Sequence, residues 1–463
     1  MSEKMDNMKQ RASQCADEIR KHTRVQCVSH IDADGITSAS IICTALKRAG
    51  IEYDIRFVRQ LDKAICDELG SQDHELVIFT DLGSGQIEHI RNNRINAVIV
   101  DHHRPQGEID NHLNPHLFGV NGSVEISGAG TSYILANQLG NNTDLAGLAI
   151  VGAIGDMQNR KHGKLVSLNR EILNEGMENN IVAAKTDITL FGKQTRPLYK
   201  LLQYASDPYL PGLTGSEDAC IEFLHDAGMR LAGDEKWRRW IDLTVDEKKR
   251  IISILMQYGL SNGLPAYKVS RLVGEGYLLL NEKEGTEMRD ATEFSTLLNA
   301  TGRYEHANVG MSVCMGDRDA GYEQASSLLK IHRKNLVDGL NFVREQGMTQ
   351  LDHLQYFDAG DRIPDTIVGI VAGMSYSISG NRRVPIIAFA DKDDGYKVSA
   401  RGNQDLVRRG LDLSMALETI CSQLGGAGGG HDIAAGATVP FGKKDEFIQQ
   451  LNTIIGTQLD MSA

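Results

Sequence analysis

Residues 75–103 read ELVIFTDLGSGQIEHIRNNRINAVIVDHH. Two short apolar runs, Glu75–Asp81 and Asn96–Asp101, flank a stretch of helical character. Runs of this β-branched kind form strands buried on both faces of a parallel sheet. A strand, a helix and a second strand make the repeating unit of a doubly wound fold. Upstream, Arg24–His30 (RVQCVSH) predicts a strand and Ile36–Ala49 a helix ended by Gly50, with a further strand at Tyr53–Val58. Downstream, Gly130–Leu139 and Leu145–Ile154 continue the alternation. The predicted class is α/β, opening on a doubly wound, mainly parallel sheet whose ligands bind beyond the carboxyl ends of the strands.

The chain has 463 residues, enough for two or three domains at ~150 residues each. We expect residues 1–184 to form the first α/β domain, 185–304 an inserted, mostly helical module, and 305–463 a smaller α/β domain. In the insert, Pro197, Pro208 and Pro211 punctuate a loop-rich passage, and helices are expected near Ser216–Leu231 and Thr244–Tyr258. Beyond it, helices are expected at Tyr322–Glu345, Asp365–Ser375 and Asp412–Leu424, and strands at Val384–Ala390 and Tyr396–Ala400. Seven scattered cysteines without a CxxC pair support neither a disulfide framework nor a thiolate zinc site. The N-terminus lacks the apolar run of a signal peptide, and no stretch reaches the ~20 apolar residues of a membrane span. A soluble cytoplasmic protein with no membrane association is expected. The balance of 49 basic against 61 acidic residues, a net of −12, argues against a uniformly basic nucleic-acid binder.

The acids and histidines fall in a pattern. His30, Asp32 and Asp34 follow the first strand, Asp81 ends ELVIFTD, Asp101, His102 and His103 end NAVIVDHH, and Asp156 follows the apolar run LAIVGAIG. A single aspartate in such a place is ordinarily a helix N-cap. Four acid-bearing strand ends gathered along one edge of a sheet would repel one another unless cations sat among them. Several carboxylates with two or three imidazoles suit a pair of divalent ions. The mix favours Mn2+ over an all-oxygen Mg2+ cage, with Mg2+ an alternative, and the missing thiolates argue against zinc. Two such ions, roughly 3.5–4 Å apart, activate water for in-line displacement at phosphorus.

HIDADGITS (30–38), TDLGSG (80–85), DHH (101–103) and GDM (155–157) resemble the ordered motifs of the DHH phosphoesterase superfamily. KVSARG (397–402) and GGAGGGHDIAAGA (425–437) resemble its companion substrate-binding domain, DHHA1. TRPLYKLLQYASDPYLPGLTGSED (195–218) and FSTLLNATGRYEHANVGMSVCMGDR (294–318) look like the archaeal RecJ-like nucleases. The resemblance implies that Asp32, Asp34, Asp81, His102 and Asp156 are metal ligands, with Asp81 bridging. His30 becomes a ligand or the neighbour of one; many superfamily members carry this histidine where Val28 stands here. Asp101 would orient a neighbour, and His103 would contact the scissile phosphate or the leaving oxygen. Arg401 would bind phosphate, beside the amides of Gly428, Gly429 and Gly430 and the side chain of His431.

Some segments carry plainer readings. The glycine run lacks the GK[ST] of a triphosphate loop, so no nucleotide cofactor is expected; without the resemblance it reads as a helix cap and a tight turn. Gly128–Thr131 reads as a structural helix start, and His112 and His116 as exposed loop histidines. Trp237–Trp240 (WRRW) could stack unpaired bases, but an amphipathic helix with inward tryptophans is the favoured reading. The implied activity is exonucleolytic hydrolysis of single-stranded DNA or RNA to mononucleotides, in replication or repair. The competing readings are a phosphodiesterase for small molecules or short oligonucleotides, and a replication scaffold associated with the GINS complex, like the degenerate superfamily member of the eukaryotic replicative helicase. Residues 157–200 hold eight basic against four acidic residues and 380–410 seven against four. A locally basic track is therefore expected despite the acidic total.

Overall fold

The computed structural model describes residues 3–205, 207–233, 236–377, 381–393 and 395–460. The chain forms two compact units, Met1–Leu329 and Lys330–Ala463. The first opens with α1 (Glu3–Ile19), β1 (Arg24–His30), α2 (Ala33–Arg48), β2 (Glu52–Val58) and α3 (Lys63–Ser71). It continues through β3 (Val77–Thr80), α4 (Ile87–Asn92), β4 (Ala97–Val100) and β5 (His112–Leu113). The strands pair in parallel in the order β2-β1-β3-β4-β5. The chain passes from β1 outward to β2 and returns to β3 on the other side, so the switch point lies between β1 and β3, where doubly wound sheets open a crevice.

Side-chain alternation divides the sheet between two cores. Cys27, Ile78 and Val98 face α1 and α2, together with α5 (Gly128–Leu139), α6 (Ala146–Gly155) and α7 (Ser167–Glu178). Val28, Val77, Phe79 and Ile99 face α3 and α4. Val28 is thus wholly core, and His30 is the histidine at the end of β1. Leu148–Gly155, expected as a further strand, is instead part of α6. This helix is buried nearly all round, and an apolar run without a polar face does not distinguish a buried helix from a buried strand. Asp156 therefore stands at a helix C-terminus, and only three acid-bearing segments leave strands.

The insert grows from an antiparallel pair, β6 (Val182–Ile188) and β7 (Val273–Leu279), in which Val182 faces Leu279 and Ile188 faces Val273. Between them lie α8 (Leu198–Gln203), α9 (Glu217–Asp226), α10 (Val245–Ser261) and α11 (Ala266–Val269), around a separate core that includes Leu202, Trp240, Ile251 and Leu255. WRRW is not a helix. Trp237 bridges to Ala232, Arg239 to Pro197, and Trp240 opens a short 3-10 turn. Its arginines are committed within the module: Arg238 grips Glu247 with both guanidinium nitrogens at 2.8 Å, and Arg239 binds Asp242. Trp240 is buried and donates to Asp187 at 2.9 Å, whereas Trp237 is exposed against Tyr199. After β7, α12 (Ala291–Arg303) and α13 (Ala307–Cys314) pack on α2.

The chain enters the second unit along α14 (Ala320–Gln346). There follow β8 (Thr349–Gln350), β9 (Gln355–Asp358), α15 (Asp365–Met374), β10 (Ile386–Lys392), β11 (Gly395–Arg401) and α16 (Gln404–Arg408). The unit ends with α17 (Leu413–Leu424), β12 (Ala427–Gly430), β13 (Ala434–Val439) and α18 (Lys444–Asp460). The mixed sheet has the order β12-β13-β11-β10-β9-β8. The glycine run begins with the expected helix cap but continues as a strand rather than a tight turn. Gly425 caps α17 in the left-handed region, and Ala427–Gly430 pairs with β13 as an edge strand. A Cβ on Gly428 would lie 2.9 Å from Cys421 Sγ and 3.0 Å from Leu417 O, so glycine lets the edge strand lie directly on α17.

Candidate metal centre

The ends of β1, β3 and β4, the start of α2 and the end of α6 deliver the site at the β1/β3 switch point. Asp32 caps α2: one carboxylate oxygen accepts from Gly35 N at 3.0 Å, while the other lies 3.0 Å from His30 Nδ1. The capping and the site roles of Asp32 therefore coexist. Asp34, in the first turn of α2, is fully enclosed and accepts from Gly128 N (2.7 Å) and Ala129 N (2.9 Å) at the start of α5. Two helix N-termini thus oppose the charge of these aspartates. Gly128 and Gly152 make the approach possible: a Cβ on the first would lie 2.5 Å from Asp81 Oδ1, and one on the second 2.3 Å from Asp34 Oδ1. Gly128 therefore shapes the site as well as starting α5.

Asp81 leaves β3 in the left-handed region at φ 58°, its N–H still bonded to Val100 O. Such strain in a non-glycine residue persists only where the surroundings fix it. Its two oxygens face opposite ways: Oδ2 lies 3.6 Å from His30 Nδ1, and Oδ1 lies 3.2 Å from His102 Nε2. His102 Nε2 also lies 3.2 Å from Asp156 and 3.6 Å from Asp34. Ligating atoms of His30, Asp32 and Asp81 lie within 4.8 Å of one another, and so do those of Asp34, His102 and Asp156.

The structure itself tests whether these residues suit cations. His102 Nδ1 donates to Gly122 O at 2.7 Å, so in the neutral ring Nε2 presents a lone pair to three carboxylates. His102 Nε2 and Asp81 Oδ1 are both buried and lack a hydrogen-bond partner. Acceptors converging in this way require a positive species between them, and the donor set fits a pair of divalent ions. The protonation tendencies agree. Burial and the neighbouring Asp81 and Asp156 push Asp34 well above the usual carboxylate range; burial, Asp32 and Asp81 push Asp156 up to about 7. Burial opposes charge on His30 and His102, but the carboxylates around them outweigh it and raise both.

Asp101 does something different. It accepts from Ser84 N, His102 N, His103 N and His103 Nδ1 at 2.7–3.2 Å, bracing the turn after β4. Burial works against its charge, but His103 and these donors hold it well below the usual range. Burial likewise opposes charge on His103, yet Asp101 raises it to about 9, and Nε2 is the ring atom left outward. His112 is wholly buried rather than exposed: its Nε2 meets Ser84 Oγ at 2.9 Å, beneath the DHH turn. The short pairing of β5 with β4 draws it in. His116 is half-buried.

Residues on α12 also reach the site, and the sequence pattern did not single them out. Asn299 Oδ1 accepts from Ala33 N at 2.9 Å, and a Cβ on Gly302 would meet Ile31 O. Burial lowers the pKa of Arg303, while the field of Asp32 favours its charge. The second unit holds the other candidates. Arg401 ends β11, with Nη1 donating to Ala400 O at 2.9 Å. Gly429 and Gly430 lie on the edge strand, and the exposed His431 follows in the turn to β13.

Residues 24–153 match the DHH family N-terminal domain, 190–273 the DHH-CID domain and 353–457 the DHHA1 domain. The chain is 34% identical over 469 residues to the uncharacterized protein MJ0831 of Methanocaldococcus jannaschii, covering 99% of this chain and all of that one. It belongs to the DHH phosphoesterase family. It is also 25% identical to the single-stranded-DNA-specific exonuclease RecJ of Escherichia coli, over 96% of this chain and 68% of that protein. Its fold resembles RecJ from Thermus thermophilus in complex with Mn2+ (TM-score 0.60, 16% identity), covering 97% of this chain but only 55% of that one. The chain therefore spans about half the length of that RecJ. The fold also resembles CDC45 from Entamoeba histolytica (TM-score 0.66, 12% identity, 98% and 99% covered). Among the described residues no helix is long and apolar enough to cross a membrane.

Proposed function

We propose that the protein is a metal-dependent exonuclease that hydrolyses the terminal phosphodiester bond of single-stranded nucleic acid and releases mononucleotides, in replication or repair. The observation that carries this reading is the double facing of Asp81, whose two oxygens address separate ligand sets. In this reading His30, Asp32 and Asp81 hold one divalent ion, and Asp34, His102 and Asp156 hold the other, with Asp81 shared. Bound there, Mn2+ or Mg2+ would supply the charge that activates water and stabilises an in-line displacement at phosphorus. Asp101 holds His103 by Nδ1, leaving Nε2 to meet the scissile phosphate or the leaving oxygen. Arg401 offers a bidentate phosphate contact, with the amides of Gly428–Gly430 and His431 beside it in the same unit. The relationship to the Escherichia coli exonuclease supports a strand as substrate rather than a small molecule.

Manganese-dependent digestion of DNA and RNA oligonucleotides, each labelled at either end, tests the reading. The expected result is stepwise release of mononucleotides from one end. Hydrolysis of a dinucleotide much faster than of a long strand would replace it with a small-substrate phosphodiesterase.

The fold shared with CDC45 favours a second role, as a replication scaffold associated with the GINS complex. The intact acid set argues that catalysis accompanies it. A pull-down with GINS subunits at low and moderate salt tests the association.

A further inference from the structure

Immediately after Asp156 the chain runs Met157-Gln158-Asn159-Arg160-Lys161-His162-Gly163-Lys164, with three full cations, a histidine and no acid. From Arg160 to Lys164 the residues are exposed. Among the described residues none of Arg160, Lys161 and Lys164 takes part in an ion pair or a side-chain hydrogen bond, and the acids nearby are committed elsewhere. Glu275 is bound by Arg170 and the Tyr277 hydroxyl, and Asp207 by Arg271 at 3.3 Å. Surrounding protein atoms lower the pKa of the Arg160 guanidinium; of the last pair, Asp207 favours its charge and Arg271 opposes it.

The loop is pinned at both ends. The Gln158 amide donates to Gly122 O (2.8 Å) and Ile126 O (3.2 Å) and accepts from Asn169 at 2.6 Å. At the far end Gly163 O accepts from Glu275 N at 3.0 Å, and Leu165 N donates to the Tyr277 hydroxyl at 2.7 Å. Glu275 and Tyr277 lie on β7, the strand that closes the insert. A fixed chain therefore leads from Asp156 to the neck of the inserted module, carrying three cations that no ion pair within 4 Å holds. At its head Met157 is held at φ 57° with half its surface in solvent, a soft apolar surface beside Asp156. Three cations along a fixed path, with one apolar side chain at its head, suit a flexible polyanion.

We propose that Arg160, Lys161 and Lys164 form a ridge that tracks phosphates, leading a single strand from the metal centre onto the inserted module. The proposal rests on the nuclease reading for its substrate but gives the strand a path that the catalytic residues do not define.

The test is a triple variant, Arg160→Ala with Lys161→Ala and Lys164→Ala. Binding of a fluorescent single strand of about 20 nucleotides is followed by anisotropy in EDTA across a salt series, so that the readout does not depend on catalysis. Each phosphate contact on a single strand contributes about 0.7 to the slope of log affinity against log salt. The variant is expected to bind on the order of tenfold more weakly at low salt, with a slope lower by about 2. In Mn2+ its KM for the strand should rise while kcat at saturation and dinucleotide hydrolysis stay unchanged. An unchanged Kd and slope would overturn the ridge and leave the loop to solvent or to an acidic protein. An equal loss on the dinucleotide would also overturn it, placing the three residues at the centre itself. Wild-type protein that binds the strand through these residues yet cleaves nothing would sink the nuclease reading and leave the ridge standing.

Discussion

Asp34 and Asp81 are enclosed carboxylates, one gripped by two backbone amides of α5 and the other held in a left-handed conformation with an oxygen left unpartnered. Arg401 and the glycines of β12 are their opposite: a half-buried guanidinium at a strand end and an edge of backbone with no side chains. The first unit concentrates like charge that the fold alone does not neutralise. The second offers neutral amides and a cation on open elements. A site that performs chemistry tolerates strain and crowded charge in order to fix positions, whereas a surface that recognises a ligand remains accessible.

Substitutions can break this contrast. Asp81→Asn keeps the shape but removes the charge facing both ligand sets. Metal-dependent cleavage should fall by at least about a thousandfold, while circular dichroism in EDTA stays that of the wild type. Retained activity would remove the two-ion arrangement. A smaller effect is expected in the second unit. Arg401→Ala should raise KM for an oligonucleotide about tenfold or more, the loss of one charge-assisted contact of about 1.5–3 kcal/mol, with metal affinity by titration unchanged. A large kcat loss instead would move Arg401 from recognition to chemistry.

The smallest effect is in stability. Without metal, Asp156 has a folded pKa of about 7 against 3.8, so its contribution is present below pH 3.8 and lost as pH rises towards 7. His103, raised to about 9 from 6.5, contributes below pH 6.5 and loses that contribution as pH rises through 9. The raised His30 and His102 change in the same direction. The metal-free protein should therefore melt a few degrees lower at pH 8.5 than at pH 6, and Mn2+ should reverse the order, because ligands deprotonate to bind it. Melting curves in EDTA and in Mn2+ that keep the same order with pH would refute the crowded-charge account.

Much of the first unit is legible in the chain. β-Branched runs ending in acids read as buried parallel strands, and the aspartates at their ends share one edge because parallel strands point one way. Asp156 reads as the end of a strand, since a helix buried on every face loses the periodicity that marks it. The glycine run reads as a turn because glycine signals turns, whereas here it lets an edge strand rest on Leu417 and Cys421. His112 reads as exposed because nothing local shows that two residues of β5 pair with β4. Asn299 and Arg303 reach the site from about 270 residues away in sequence, a contact that no spacing rule encodes.

The double duty of Asp32 has an evolutionary consequence. Losing its side chain would remove the cap of α2, at about 1 kcal/mol of folding stability, and with it the ligand that the two-ion proposal places there. Asparagine or serine at this position would still cap α2, whereas alanine or leucine would destabilise the fold as well. Under the two-ion proposal, change at position 32 is therefore channelled, because residues that keep the cap of α2 cost the fold less than those that lose it.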